Sequence, residues 1–289
     1  MIPAGFDYRR AETLEEAIQL LQEHGEEAKI ISGGHSLLPI LKARLAQPGM
    51  LVDISRIPAL SGILEEEQIL IIGALTTHHE IESSPVVRKL CPLLAETAAQ
   101  IGDVQVRNRG TIGGSISHAD PAADYPAPLI ALDAEFVVTG PNGTRSNRAE
   151  NFFEGTFETA LSPNEILTSV HIPILGRRTG TSYCKAAQQA SGFAVCGVAA
   201  LVELGDDGLV SKASVGITGV AGAAYRATPV EEAIAGKAPS AENIEAAAAY
   251  AADDIVPFED LYATPEFRRH LAEVWTRRAL DRAARMAGS

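Results

Sequence analysis

The chain has 289 residues, enough for one large domain or two ordinary ones with buried cores. Hydrophobic residues make up 46% and charged residues 21%, as in globular proteins, which excludes fibrous and largely disordered classes. The chain has 24 Lys and Arg and 37 Asp and Glu, which gives a formal charge of -13. This negative charge disfavours nucleic acid and anionic membranes as partners. No apolar run approaches the ~20 residues that span a bilayer. The N-terminus also lacks the layout of a signal peptide, so we expect a cytoplasmic protein.

The first third of the chain predicts a small arrangement of helices and strands. A helix is expected over Thr13 to His24, with Thr13 and Glu16 spaced as a capping box and Gly25 as the stop. A short strand "AKII", a glycine turn, a helix in "SLLPILKARLA" and a strand "MLVDI" follow. This succession predicts an α/β piece over about residues 1–56.

The next part changes character. "ILIIGALTTHHEIESS" indicates a strand and a short helix, and "VVRKLCPLLAETAAQIG" indicates one longer helix after Pro85. A stretch rich in Gly, Pro, Asp and Ser over 104–138 predicts irregular backbone packed against other elements, before strands in "AEFVVTG" and "EILTSVHIP".

A basic link, "ILGRRTG", predicts the start of a second domain at about residue 177. Three successive strands are expected in "TSYCKAAQ", "FAVCGVAALVEL" and "LVSKASVGITGV". Helices are expected in "AENIEAAAAYAADD" and in the final segment, which has Thr264 as its cap. The final helix should bury an apolar stripe, Phe267, Leu271, Val274 and Trp275.

Three cysteines, Cys91, Cys184 and Cys196, lie far apart and show no CxxC spacing. We predict buried thiols in a reducing compartment, with no metal site held by this chain alone.

Two glycine pairs with hydroxyl neighbours are the candidate binding features. In "SGGHS", Gly33 and Gly34 stand between a strand and a helix, where backbone N–H groups can hold a phosphate. In "TIGGS", Gly113 and Gly114 form a second pair, preceded by Arg107 and Arg109. Neither spacing is a dinucleotide fingerprint or a P-loop, so a glycine pair alone favours a tight turn over a binding site. Together, the two loops are compatible with one diphosphate held by neutral donors, or with two independent turns.

"HADPAADY" might suggest a metal or acid–base cluster through His118, Asp120 and Asp124, but its prolines favour an extended path that separates these side chains. His78 and His79 are adjacent, so they point in different directions on a helix, and we expect both at the solvated surface.

Four motifs, in order along the chain, resemble the FAD-binding medium subunit of the molybdenum hydroxylases, the family of carbon monoxide dehydrogenase and xanthine dehydrogenase. They are "ISGGHSLLPILKARLAQPGMLVDIS", "QVRNRGTIGGSISHADPAADYPAPLIAL", "LSPNEILTSVHIP" and "FRRHLAEVWTRRAL". The resemblance implies an α+β fold. A two-part FAD-binding domain over 1–176, a small α/β piece (1–56) plus a larger mixed-sheet piece (57–176), would precede a C-terminal domain of three antiparallel strands with helices over 177–289.

The resemblance also implies cofactor-binding residues. The first diphosphate loop would be Ser32, Gly33, Gly34, His35 and Ser36, and the second would be Thr111, Ile112, Gly113, Gly114 and Ser115. Single positions near the adenine or the flavin ring would be Ile101, Asp124, Leu161, Lys185 and Phe193. Asp124 would accept a hydrogen bond from a ribityl hydroxyl or a flavin ring N–H. Relatives often have tyrosine at Phe193 with an acidic residue before it, where this chain has Gly192, and Asn or Asp at Ser115.

The implied function is electron transfer. Substrate would be hydroxylated at a molybdopterin centre on a large subunit, and electrons would pass through [2Fe-2S] clusters on a small subunit to FAD on this chain, and then to an external acceptor. The assembly would be a dimer of heterotrimers, and this chain needs no catalytic acid, base or metal of its own. Two rivals are a self-contained flavin oxidase or reductase and a non-catalytic assembly subunit. CO, aldehydes and N-heterocycles all remain open as substrates.

Overall fold

The computed structural model describes residues 2–288, and a small parallel sheet begins the chain. Its elements are β1 Asp7–Arg10, α1 Leu14–His24, β2 Ala28–Ile31, α2 Leu37–Lys42 and β3 Met50–Asp53, in the strand order β1-β3-β2. β3 pairs in parallel with both neighbours, and each crossover contains a helix, as parallel pairing requires. The predicted helices and strands are confirmed. β1 had no sequence signal, because all four of its residues are exposed.

The capping of α1 follows the expectation in part. The Thr13 hydroxyl accepts the N–H of Glu16, and the apolar face buries Ala17, Ile18 and Leu21. The Glu16 carboxylate, however, accepts the N–H of Glu12 and not that of Thr13, so the capping box is only half formed.

The middle of the chain forms a five-stranded sheet in the order β4-β5-β10-β6-β7, covered by short helices. The strands are β4 Ile63–Glu66, β5 Ile69–Gly73, β6 Glu135–Gly140, β7 Gly143–Arg148 and β10 Ile166–Pro173, with a small hairpin of β8 Phe153–Gly155 and β9 Glu158–Thr159. The helices are α3 His78–Ser83, α4 Pro85–Leu90, α5 Pro92–Ala99, α6 Val104–Arg107, α7 Ile112–His118 and α8 Pro126–Ala131. Every pairing in this sheet is antiparallel, where the sequence predicted a mixed sheet.

One predicted helix is two. The segment after Pro85 breaks at Cys91, which separates α4 from α5. Pro92 has no N–H to continue the helix and disfavours helical backbone in the residue before it, and Cys91 has φ -145° and ψ 66°. This break lets α5 pack against α3 and against the next domain.

The C-terminal part is a four-stranded antiparallel sheet with three helices. Its elements are β11 Thr179–Ala187, β12 Ala194–Leu204, β13 Val210–Thr218, β14 Tyr225–Arg226, α9 Thr228–Ile234, α10 Ala241–Ala248 and α11 Pro265–Ala287. The three predicted strands are confirmed, and the two-residue β14 adds a short edge. α8 packs against β12 and β13, so the residue that precedes it, Tyr125, lies at the junction of the two parts.

The predicted stripe on α11 is only partly right, because Leu271 and Trp275 are half-buried against the C-terminal core but do not form the fully buried face. Phe267 is 49% exposed, and the buried face is instead Arg268, Ala272, Thr276, Ala279, Leu280, Ala283, Ala284 and Ala287. Small residues bring this helix close to the sheet, since a Cβ at Gly180 of β11 would overlap the carbonyl oxygen of Ala283. A stripe of large side chains would hold the helix further away.

Apolar side chains gather in three cores: one in each end part, and one beneath the middle sheet that includes Tyr183 of β11. Cys91 and Cys196 are buried free thiols, as predicted, and burial raises the pKa of each to about 12. Cys184 is also free but only partly buried. Within residues 2–288, no helix has the length and apolar composition needed to cross a bilayer.

Candidate cofactor site

The first loop, Ser32–Ser36, joins β2 to α2 and offers unused hydrogen-bond donors. Among residues 2–288, no group accepts the backbone N–H groups of Gly33, Gly34, His35 and Ser36. His35 and Ser36 are exposed, and Gly34 has φ +78°, which a residue with a side chain rarely adopts. Four consecutive N–H groups at the start of a helix favour an anionic acceptor.

This loop lies directly against the second one. A Cβ at Gly33 would overlap the carbonyl oxygen of Arg109 and lie 2.9 Å from Gly110 Cα, so only glycine allows the approach. The hydroxyls of Ser32 and Thr111, which are 79 residues apart in sequence, form a hydrogen bond of 3.1 Å. The predicted convergence of the two glycine pairs is therefore present in the fold.

The second loop, Thr111–Ser115, is built differently because its N–H groups already have acceptors. The N–H groups of Ile112 and Gly113 donate to the carbonyls of Thr76 and Ala74 at 3.0 and 2.8 Å. Gly114 donates to the Thr111 hydroxyl, which caps α7, and Ser115 donates to the Thr111 carbonyl. The side chain of Ile112 is fully buried in the core. This loop can therefore offer hydroxyls and a gap without side chains, while its backbone is anchored to the segment after β5.

His78 lies behind the second loop and corrects the expectation that both histidines are solvated. His79 is exposed, but His78 is 4% exposed, and its ring packs edge-on to Tyr125 with centroids 5.2 Å apart. A Cβ at Gly110 would lie 2.6 Å from His78 Nε2, so the ring fills the space beneath this turn. Burial, assisted by nearby His35 and Arg107, lowers the pKa of His78 to about 4, and the ring is neutral at pH 7.

A second group of predicted residues centres on Asp124, which is 5% exposed. Lys185 Nζ lies 2.9 Å from its carboxylate, and the Tyr183 hydroxyl donates to it at 2.6 Å. Desolvation raises the pKa of Asp124, while Lys185 and Tyr183 oppose that shift by stabilising the charged form. The pair is a buried, hydrogen-bonded ion pair that links the loop before α8 to β11.

Of the three remaining predicted residues, Ile101 and Phe193 lie next to acceptors of Lys185, and Leu161 lies against the middle core. Ile101 is half-buried and follows Gln100, whose carbonyl accepts from Lys185. Phe193 is 44% exposed and follows Gly192, whose carbonyl also accepts from Lys185. Leu161 is half-buried against the middle core, two residues after β9, which packs against α7. His78 contacts both the turn at Gly110, which precedes the second loop, and Tyr125, which follows Asp124 in sequence, so a chain of contacts connects the two groups of residues.

Sequence reasoning missed two buried residues of this region, His78 and Tyr183. Tyr183 stands two positions before Lys185 on one strand, and this spacing places both on the same face. This alternation could have identified Tyr183 from the sequence. For His78, the adjacent pair of histidines contained no signal to separate the buried ring from the exposed one. Arg107, which precedes the second loop, pairs with Glu82 at 2.9 Å instead of facing the loop.

The comparisons with known proteins agree with this geometry. Residues 4–175 match the family "FAD binding domain in molybdopterin dehydrogenase", and residues 181–283 match the "CO dehydrogenase flavoprotein C-terminal domain". Fold and site together define an FAD-binding flavoprotein that serves as an oxidoreductase subunit.

Individual relatives cover nearly the whole chain. The carbon monoxide dehydrogenase medium chain of Hydrogenophaga pseudoflava is 42% identical over 98% of both chains. The 6-hydroxypseudooxynicotine dehydrogenase complex subunit alpha of Paenarthrobacter nicotinovorans is 34% identical, covering 99% of this chain and 97% of that one. A solved structure of the Hydrogenophaga pseudoflava carbon monoxide dehydrogenase aligns with a TM-score of 0.95 at 43% identity, over 98% of both chains. The chain belongs to the FAD-binding medium subunits of the molybdenum hydroxylases, as the resemblance implied.

Proposed function

We propose that this chain is the subunit through which electrons leave a molybdenum hydroxylase. It takes electrons from [2Fe-2S] clusters on a small partner subunit and passes them through FAD to an external acceptor. Substrate oxidation takes place at a molybdopterin centre on a large partner subunit. The family match and the names of the relatives, which include medium chains and a complex subunit, support this division of labour.

The first loop carries the proposal. Four backbone N–H groups, at residues 33–36, have no acceptor within the described residues 2–288 and lie where the chain contacts the second glycine loop. A diphosphate is a suitable acceptor for such consecutive donors, since each N–H bond to a charged oxygen contributes about 1.5 to 3 kcal/mol. Unused backbone donors and small or hydroxyl-bearing residues are the chemistry that the diphosphate of FAD requires.

We assign the site residues accordingly. Ser32, Gly33, Gly34, His35 and Ser36 hold the diphosphate with backbone N–H groups, and Thr111, Ile112, Gly113, Gly114 and Ser115 form the opposite wall. Ile101 lines the adenine side, and Asp124, Leu161, Lys185 and Phe193 surround the flavin ring. When bound, FAD exchanges one or two electrons, which connects one-electron clusters with a two-electron acceptor.

The protein contributes binding and exclusion of water instead of proton transfer. Asp124 and Lys185 neutralise one another, and His78 is neutral because of its burial. Charges that are mutually compensated within the site suit an electron relay, because a relay needs a fixed electrostatic environment around its cofactor.

We further propose the domain boundary at 176/177, with a subdivision near 56/57, and an assembly that is a dimer of heterotrimers. The relatives named above act on CO and on 6-hydroxypseudooxynicotine while sharing this chain's fold. This variety supports assigning substrate choice to the large subunit.

The test is spectroscopic. The chain, purified with its native partners, should show flavin absorbance that bleaches anaerobically when a substrate of the complex is added and returns with an acceptor. The chain separated from its partners should bleach with none of the CO, aldehyde or N-heterocycle substrates. Turnover by the separated chain would favour the self-contained oxidase, and a complex without flavin bands would favour an assembly subunit.

A further inference from the structure

The ammonium of Lys185 forms hydrogen bonds to acceptors inside the protein. Its Nζ donates to the carbonyls of Gln100 and Gly192, each at 2.8 Å, and lies 2.9 Å from an Asp124 carboxylate oxygen. An ammonium group has three hydrogens, so these acceptors use all of them. Only 4% of the Lys185 side chain is exposed. All three hydrogens of the ammonium are therefore already donated within the protein.

The three acceptors come from three separate segments. Gln100 ends α5, Asp124 precedes α8, and Gly192 lies in the turn between β11 and β12. The first two belong to the proposed FAD-binding domain, and the third to the C-terminal domain. One buried ammonium thus ties a turn of the C-terminal domain to two fixed points of the other.

That turn carries Phe193, and its internal bonds do not attach it to the FAD-binding domain. The Gln188 N–H donates to the Phe193 carbonyl at 2.8 Å, and the Gly192 N–H donates to the Gln188 carbonyl at 2.9 Å. These bonds shape the turn, while Ser191 and its two preceding residues face solvent. Two hydrogen bonds on either side of Phe193 connect the turn to the FAD-binding domain: the Gly192 carbonyl accepts from Lys185, which itself bonds Gln100 and Asp124 of that domain, and the Ala194 N–H donates to the Ala122 carbonyl at 3.2 Å.

We propose that Lys185 is a positioning residue that fixes Phe193 against the flavin ring, by holding the Gly192 carbonyl, and that its ammonium does not itself bond the cofactor. This inference rests on the proposed function, because it assigns a role within the same flavin site. Asp124 then serves as the buried counter-charge of Lys185, oriented by the Tyr183 hydroxyl.

A double-mutant cycle in the complex purified with its partners tests this role. FAD is removed, the deflavinated complexes are titrated with FAD, and the Kd and the visible circular dichroism of the bound flavin are recorded. The variants are Lys185→Met, Phe193→Leu and both together. Lys185→Met leaves the Asp124 carboxylate buried without its partner, so Lys185→Met with Asp124→Asn is the matched variant in which no buried charge remains unpaired.

Lys185→Met with Asp124→Asn is expected to raise the Kd for FAD up to about tenfold, the size of one aromatic stacking contact, and to weaken the dichroism. Phe193→Leu should do the same, and combining the Lys185 and Phe193 changes should add nothing. Effects that multiply would overturn the inference, because Lys185 would then act on FAD independently of Phe193, and so would a wild-type Kd in the Lys185 variants. A wild-type complex that takes up no FAD would instead defeat the proposed function.

Discussion

The two glycine loops resemble one another in sequence but differ in what holds them. In the part of the chain that the structure describes, the first loop keeps four N–H groups without acceptors, and half of the residues of its helix, α2, are exposed. The second loop donates every N–H from Ile112 to Ser115 to the protein, and Ile112 and Gly113 are buried. Under the proposed assignment, the ligand would complete the hydrogen bonds of the first loop, whereas the backbone of the second loop is already held by the protein.

The largest expected effect separates the loops by stability. Gly113→Ala would place a Cβ 2.5 Å from Ala74 Cβ and 2.7 Å from its carbonyl oxygen, both in the buried core. The backbone must move to relieve this overlap, so we expect a loss of up to about 3 kcal/mol in the free energy of unfolding. Urea unfolding of the chain measures it. The exposed Ser117→Ala on the same helix is the control, and equal stability of the two variants would contradict the assigned rigidity.

The first loop should respond in cofactor affinity. Gly34→Val places a β-branched residue at φ +78° beside Leu38, which distorts the row of N–H groups. Losing two of these bonds to a charged diphosphate corresponds to a rise of at least about a hundredfold in the Kd for FAD.

The control for this change is Gly208→Val, which has the same φ of +78° in a hairpin with open space around it. It imposes a similar backbone strain without touching either loop, so FAD titration should give the wild-type Kd. A normally flavinated Gly34→Val protein would count against the first loop as the diphosphate site.

Acid should weaken the support of the second loop through His78. Its folded pKa of about 4 lies below its unfolded value of 6.5, so the unfolded chain binds the proton more tightly. This contribution is fully present above pH 6.5 and is lost as the pH falls from 6.5 towards 4. Between pH 7 and pH 5, His78 should account for about 2 kcal/mol of lost stability. In His78→Asn, the difference between urea unfolding at the two pH values should shrink by that amount, and in His79→Gln it should persist.

The smallest effect concerns the contact between the loops. Ser32→Ala removes the hydroxyl bond to Thr111, which is partly buried and 3.1 Å long. A neutral hydrogen bond of this kind contributes about 1 kcal/mol to the contact between the loops, so we expect at most a fewfold weaker FAD affinity and a loss of at most about 1 kcal/mol in the free energy of unfolding. Isothermal titration of the deflavinated complex would detect it. An affinity loss as large as that of Gly34→Val would contradict this ranking, because the contact between the loops would then matter as much as the row of N–H groups.

Much of this site follows from local sequence, and the rest depends on contacts between distant segments. Glycines, hydroxyls and strand-to-helix junctions identified both loops, because the chemistry of close backbone approach is local. Nothing local indicated that Ala74 and Thr76 would occupy the donors of the second loop, that His78 would be buried and His79 exposed, or that Lys185 would reach Gly192. The buried stripe of α11 was misread for the same reason, since the sheet beneath it selects small residues over large ones.

Hydrogen exchange of the backbone amides, followed by mass spectrometry with and without FAD, tests the contrast between the loops most directly. The account predicts that peptides covering residues 33–38 exchange quickly without FAD and become protected when it binds, while peptides covering 112–118 are protected in both states. Protection gained in 112–118, with none in 33–38, would contradict it.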